Sequence, residues 1–173
     1  MSKIAMFKAA VALSLALVVA QAPAAIAQEL PAPVGEVILT IDGSIKPAGG
    51  AASVSLDLDG LKTLPSETFE TTTIWTEGTL KFTGVALRDL LDLVGAEGDT
   101  VVAEALNGYA VEIPISDLEA KVPVVAYLID DEPFSRRDKG PLWIVYPYDL
   151  DASYKSEVAY AYSIWQLQRL TVK

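Results

Sequence analysis

One helical stripe stands in a chain that otherwise reads as strands, and that ratio most constrains the fold. In VALRDLLDLVGA the residues Val85, Leu87, Leu90, Leu91 and Val94 fall on one face at helical spacing, with Gly95 as a stop signal. Elsewhere apolar residues alternate with polar ones or gather in short runs between Gly, Pro and Asp. VILTIDG from Val37 is a strand ending at Asp42-Gly43. SVSLDLDG places Val54, Leu56 and Leu58 on one face of a second strand, and Leu61 to Leu64 makes a helical turn. The Thr-rich ETFETTTIW is a third strand, because β-branched residues suit a pleated surface. VVAEAL and YAVEIP form a hairpin around Asn107-Gly108, and Ser116 opens a short helix, SDLEAK. VVAYLID, LWIVYP and SIWQLQRLTV complete the set. The expectation is a single α+β domain, mainly β, over residues 36–173, preceded by a Pro-containing extended lead-in, poorly ordered, at 28–35.

Residues 1–27 read differently. Lys3 and Lys8 precede an apolar run from Ala9 to Ala20, and Ala25-Ile26-Ala27 is a small-x-small cleavage site. The apolar run is shorter than the roughly 20 residues a spanning helix needs, so a signal peptide cut after Ala27 is expected, of Sec type because it lacks paired arginines. The mature product is then soluble and periplasmic, with no membrane insertion after cleavage. Cleavage removes two lysines and no acid, taking the formal net charge from −10 to −12. Such a chain repels phosphate backbones, which argues against a nucleic acid partner.

The protein contains no cysteine and no histidine. Disulfides, thiolate metal sites, the commonest zinc ligand and any Ser-His-Asp triad are therefore excluded. Asp57, Asp59, Asp149 and Asp151 lack the spacing of a calcium loop and read as a solvated acidic face.

Three ordered words carry a resemblance. The first holds Phe82, Gly84, Val85, Leu87, Asp89, Leu90 and Leu91; the second holds Gly108, Tyr109 and Pro114. The third runs through Ala126-Tyr127, Asp130-Asp131-Glu132-Pro133, Gly140-Pro141-Leu142 and Val145-Tyr146-Pro147. In order and spacing they resemble the molybdopterin-binding domain of sulfite-oxidase-type oxidoreductases. The resemblance implies that family's fold and, in catalytic members, a molybdenum held by one cysteine thiolate from a loop between a strand and the helix. Here that interval is only Thr71 to Gly78 and has no thiol; Trp143 stands where catalytic members carry Arg, and the His near the Gly-Pro is absent. A soft thiolate ligand tunes such a metal, so its loss withdraws the oxo-transfer reaction. The resemblance also implies that exported members load cofactor before crossing the membrane folded, and a Sec leader argues against such a preloaded cofactor. No cofactor is expected, and molybdopterin is the one candidate that the resemblance supplies.

Two constellations remain as candidate binding residues. Arg136, Arg137 and Lys139 form the one basic cluster in an acidic chain and can clamp a phosphate, sulfate or carboxylate, or else pair with Asp130, Asp131, Glu132 and Asp138. The aromatics Trp75, Tyr109, Tyr127, Trp143, Tyr146, Tyr148, Tyr160, Tyr162 and Trp165 either pack as core and rim or line a ring-stacking pocket, with Trp75 and Trp143 the preferred exceptions because they replace positions near the family's cofactor. The leading reading is a non-catalytic periplasmic binding or accessory protein for a small anionic or ring-containing ligand, serving a membrane sensor or redox partner protein. The alternatives are an oxidoreductase subunit that holds a pterin cofactor without a thiolate and a structural interaction domain.

Overall fold

A computed structural model describes Leu30 and residues 32–173; the expected leader and most of the start of the lead-in lie outside these residues. Nine strands and three helices are found among them. The strands are β1 (Leu39–Gly43), β2 (Ser53–Leu56), β3 (Glu67–Thr72), β4 (Thr79–Ala86), β5 (Thr100–Ala105), β6 (Ala110–Pro114), β7 (Val124–Ile129), β8 (Trp143–Val145) and β9 (Leu167–Val172). The helices are α1 (Leu58–Lys62), α2 (Leu87–Leu93) and α3 (Glu157–Tyr162). A five-stranded sheet has the order β2-β1-β9-β5-β6, and a four-stranded sheet the order β3-β4-β7-β8. Every pairing is antiparallel except β1 with β9, where Thr40 meets Arg169 in parallel register. This is the mainly β, single-domain architecture expected. No described helix is long and apolar enough to cross a membrane.

Alternation along β7 and β8 divides the interior in two. Val125, Tyr127 and Ile144 join Leu39, Ile41, Leu90 and Leu170 in a core between the two sheets, with α2 closing it. Val124, Ala126, Trp143 and Val145 face the opposite way and pack with Phe82, Tyr146, Tyr148 and Ala159. Both faces of these strands are thus buried, which is why they read as continuous apolar runs. The second cluster is the floor on which the candidate site stands.

Several local expectations are corrected. Val85 belongs to β4, a strand not foreseen, and the helix starts only at Leu87. Leu58 opens α1 rather than ending a strand, because the Asp57 carboxylate accepts from the Gly60 N–H at 2.7 Å and caps the helix. The same carboxylate accepts from Val34 and Gly35 at 2.8 and 2.7 Å, so the end of the lead-in is tied down. SDLEAK forms only a single 3₁₀ turn, Ile115–Asp117, with Pro114 rather than Ser116 at its cap. SIWQLQRLTV becomes a strand only at Leu167, because Gln166 takes a positive φ of 55°. The third Thr-rich strand stops at Thr72, which puts Trp75 in the turn beyond it.

Candidate functional site

Four segments that leave the sheets at one end build the site. After β3, the Thr73 hydroxyl accepts from the Trp75 N–H at 3.0 Å and meets the Thr76 hydroxyl at 2.8 Å, folding the turn that carries Trp75. At the β5–β6 hairpin the Asn107 Oδ1 accepts from the Tyr109 N–H at 3.0 Å, and Gly108 supplies φ 82°. Ser156 caps α3 by accepting from the Ala159 N–H at 3.2 Å, placing Tyr160 in its last turn. The stretch between α3 and β9 brings Trp165, bridged to Trp143.

These segments enclose an aromatic groove of about 370 Å3, lined by Trp75, Asn107, Tyr109, Tyr160, Ser163 and Trp165 among others. Trp75 is its hub. Its ring centroid lies 5.8 Å from Trp143, 5.6 Å from Trp165, 5.7 Å from Tyr160 and 6.2 Å from Tyr148, all in edge-to-face geometry. Tyr109 is 57% exposed and Trp165 36%, so aromatic surface remains open to a ligand. The lining contains no charged side chain.

Beneath the groove the polar groups are satisfied. The Ser163 hydroxyl donates to the Ala159 carbonyl at 2.6 Å and so accepts from the Tyr148 hydroxyl at 2.5 Å, while the Trp143 Nε1–H donates to the Ser163 carbonyl at 3.3 Å. Burial pushes the Tyr148 phenol up to about 12, with the Ser163 bond acting in the other direction. Trp143 is wholly buried. It is therefore floor rather than exposed stacking surface, although it does meet Trp75 as its placement in the sequence suggests.

The basic loop Ser135 to Gly140 adjoins this floor. Ser135 accepts from the Arg137 N–H at 3.2 Å and starts a 3₁₀ turn, Arg136–Asp138, ended by Lys139 at φ 74°. Successive residues of a 3₁₀ turn point about 120° apart. Consequently the two guanidiniums do not form one clamp. Arg136 faces Glu36 at 3.6 Å and lines a separate hollow of about 230 Å3 with Arg169. Arg137 and Lys139 line a charged groove of about 460 Å3 with Thr76, Glu132, Asp138 and Trp143. The Lys139 ammonium lies 5.8 Å from the Trp143 ring centroid and 5.6 Å from that of Trp165. The pairing of this loop with its neighbouring acids does not occur as expected: Asp131 pairs with Lys81, and no ion pair of Arg137 or Lys139 is found among the described residues.

Trp75 and Tyr109 thus meet in the aromatic groove, Arg137, Lys139 and Trp143 border the charged one, and Arg136 stands apart. Asn107 and Ser163 join the site without having been singled out, whereas Tyr160 and Trp165 stood among the candidate aromatics. Asn107-Gly108 was visible only as a turn signal, and Ser163 depends on the close of α3. Of the four aspartates read as a solvated acidic face, Asp59, Asp149 and Asp151 are exposed, Asp149 also accepting from the Thr72 N–H at 2.6 Å and its hydroxyl at 2.8 Å, whereas Asp57 is a buried cap. No group of three or more potential metal-ligating side chains is found among the described residues. Compared with known families, residues 37–152 match the model of the oxidoreductase molybdopterin binding domain. No curated protein matches the chain.

Proposed function

The chain belongs to the oxidoreductase molybdopterin binding domain family, and on that premise we propose that it is an exported, non-catalytic member whose aromatic groove holds a small ring-containing ligand. The observation that carries this reading is the side chain at the turn after β3. In the Thr71 to Gly78 interval, where the family resemblance implies a cysteine-bearing loop, the indole of Trp75 packs edge-to-face against Trp143, Trp165, Tyr148 and Tyr160.

The residues present do not fit a molybdenum-bearing cofactor. A chain without cysteine offers no thiolate for the metal. No constellation of hard or nitrogen ligands replaces it among the described residues. The chemistry left to the site is recognition: aromatic surface contributes apolar burial and ring contacts, and Asn107 contributes a directional amide. In this reading the protein works in the periplasm after removal of residues 1–27 and presents its liganded state to a membrane sensor or redox partner protein.

Metal analysis of the protein purified from its own host tests the non-catalytic assignment, and stoichiometric molybdenum would sink it. A thermal-shift screen with anions, sugars and pterins tests the binding assignment. A ligand at 100 times its Kd stabilises by about 2.7 kcal/mol, which such a screen resolves. Intact-mass measurement of the exported protein tests the leader, with Gln28 the expected first residue. A second reading, an interaction domain, is favoured by exposed Ile74, Leu150 and Val158. It gains if no compound stabilises the protein.

A further inference from the structure

We propose that the ligand is an aromatic ring bearing a single carboxylate, the ring held in the aromatic groove and the carboxylate read by Lys139. This rests on the reading of that groove as a ligand site and adds the chemical class. Lys46, Lys81, Lys121, Lys155 and Lys173 pair with a carboxylate within 4 Å; of the two described lysines without such a partner, Lys62 is exposed and Lys139 is half-buried. Its ammonium is held over two indoles instead, one of which, Trp165, lines the groove. A half-buried cation beside an uncharged ring site gains a charge-assisted hydrogen bond when an acid arrives.

The backbone is strained to keep it there. Lys139 and Gln166 both have positive φ, 74° and 55°, and Gln166 donates its N–H to the Lys139 carbonyl at 2.9 Å. The Gln166 side-chain amide donates to the Arg136 carbonyl at 2.8 Å. Two left-handed non-glycine residues bonded across the base of Trp165 are a costly way to build a loop with no ligand to position.

The loop also discriminates between acids. Phosphate sites gather free backbone N–H groups, but here those of Arg137, Asp138 and Gly140 all bond to Ser135. Glu132 and Asp138 line the charged groove beside Arg137 and Lys139, so a dianion meets two carboxylates as well as two cations. A single carboxylate suits that balance better than a phosphate.

Calorimetric titration of the wild-type protein with 3-phenylpropionate, 3-phenylpropan-1-ol and 3-phenylpropyl phosphate tests the proposal. The acid is expected to bind at least about tenfold tighter than the alcohol, and the phosphate no tighter than the acid. Lys139→Gln should bring the acid to the affinity of the alcohol while leaving the alcohol within about twofold, and Trp165→Ala should weaken both. Equal affinity of acid and alcohol overturns the proposal and leaves the ring-binding groove standing. So does a phosphate that binds tenfold tighter than the acid. If neither acid nor alcohol binds at millimolar concentration, this proposal and the groove reading both fall.

Discussion

The backbone N–H of Gln166 donates to the carbonyl of Lys139 at 2.9 Å, and both residues lie in the left-handed region of backbone space. That bond fastens the basic loop to the segment ahead of β9 and fixes where the Lys139 ammonium meets Trp165. For a residue with a β-carbon this conformation costs about 1–2 kcal/mol, which glycine avoids while losing more chain entropy on folding. Lys139→Gly should therefore keep folding stability within about 1 kcal/mol of wild type. The β-branched Lys139→Ile should destabilise, because its side chain cannot relax at positive φ. Denaturant unfolding of the two variants checks the pair, and similar losses for both would refute strain at this position.

Asp149 joins the close of the second cluster to the end of β3. Lys155 first, at 2.9 Å, and then the N–H and hydroxyl of Thr72 hold its carboxyl well below the ordinary 3.8. A carboxyl whose pKa is depressed by folding stabilises fully above its unfolded value and loses that contribution as pH falls below it. The melting temperature of Asp149→Asn should accordingly lie below wild type at pH 7, with the gap closing as pH falls from about 4 toward the depressed value. A gap that stays constant between pH 7 and pH 2 would mean that the charge contributes nothing.

How much was legible follows from which signals are local. Leu87, Leu90 and Leu91 announce α2, and Asn107-Gly108 announces its hairpin, because each pattern acts within one turn of chain. β4 was hidden because Val85 and Ala86 extend the apolar stripe of the helix that follows, although they pair with Val125 and Val124. α3 was hidden in a short Tyr-rich stretch whose one signal was the Ser156 cap. At the site, Trp75 and Trp143 were noticed because they depart from a family pattern. Their convergence with Tyr109, Tyr160 and Trp165 depends on strand pairing between distant segments, which no local period encodes.

Alkaline pH should weaken the fold through its tyrosines. Burial raises the Tyr148 phenol to about 12, and burial followed by the Glu119 carboxylate raises Tyr154 to about 12. Tyr146 is raised further, mainly by burial. The sign follows from the ordinary value of 10: the unfolded chain loses these protons first, so stability is intact below pH 10 and declines as pH rises through the folded values near 12. Absorbance at the phenolate band should show part of the tyrosine complement protonated at pH 11 in the folded protein and released together on unfolding. Titration of all seven tyrosines near pH 10 without unfolding would contradict the buried hydroxyl network.

Gly84 gives a physical meaning to the word Phe-x-Gly-Val by which the family is recognised in this chain. The β4–β7 register shifts between Thr83 and Gly84, and this bulge brings the β7 backbone against the glycine. A β-carbon there would stand 2.3 Å from the Val125 carbonyl oxygen and 2.6 Å from the Ala126 Cα. Both are main-chain atoms in the middle of a sheet, so no side chain can swing aside to make room. Gly84→Ala should destabilise by about 3 kcal/mol through overpacking, a loss that chemical unfolding reads directly. Because Ala126 pairs with Trp143 across β7 and β8, the displacement should also reach the aromatic floor and lower the near-ultraviolet dichroism of the Trp75–Trp143 pair. An Ala variant with wild-type stability and dichroism would show that the bulge tolerates a side chain, and the glycine would then need another explanation.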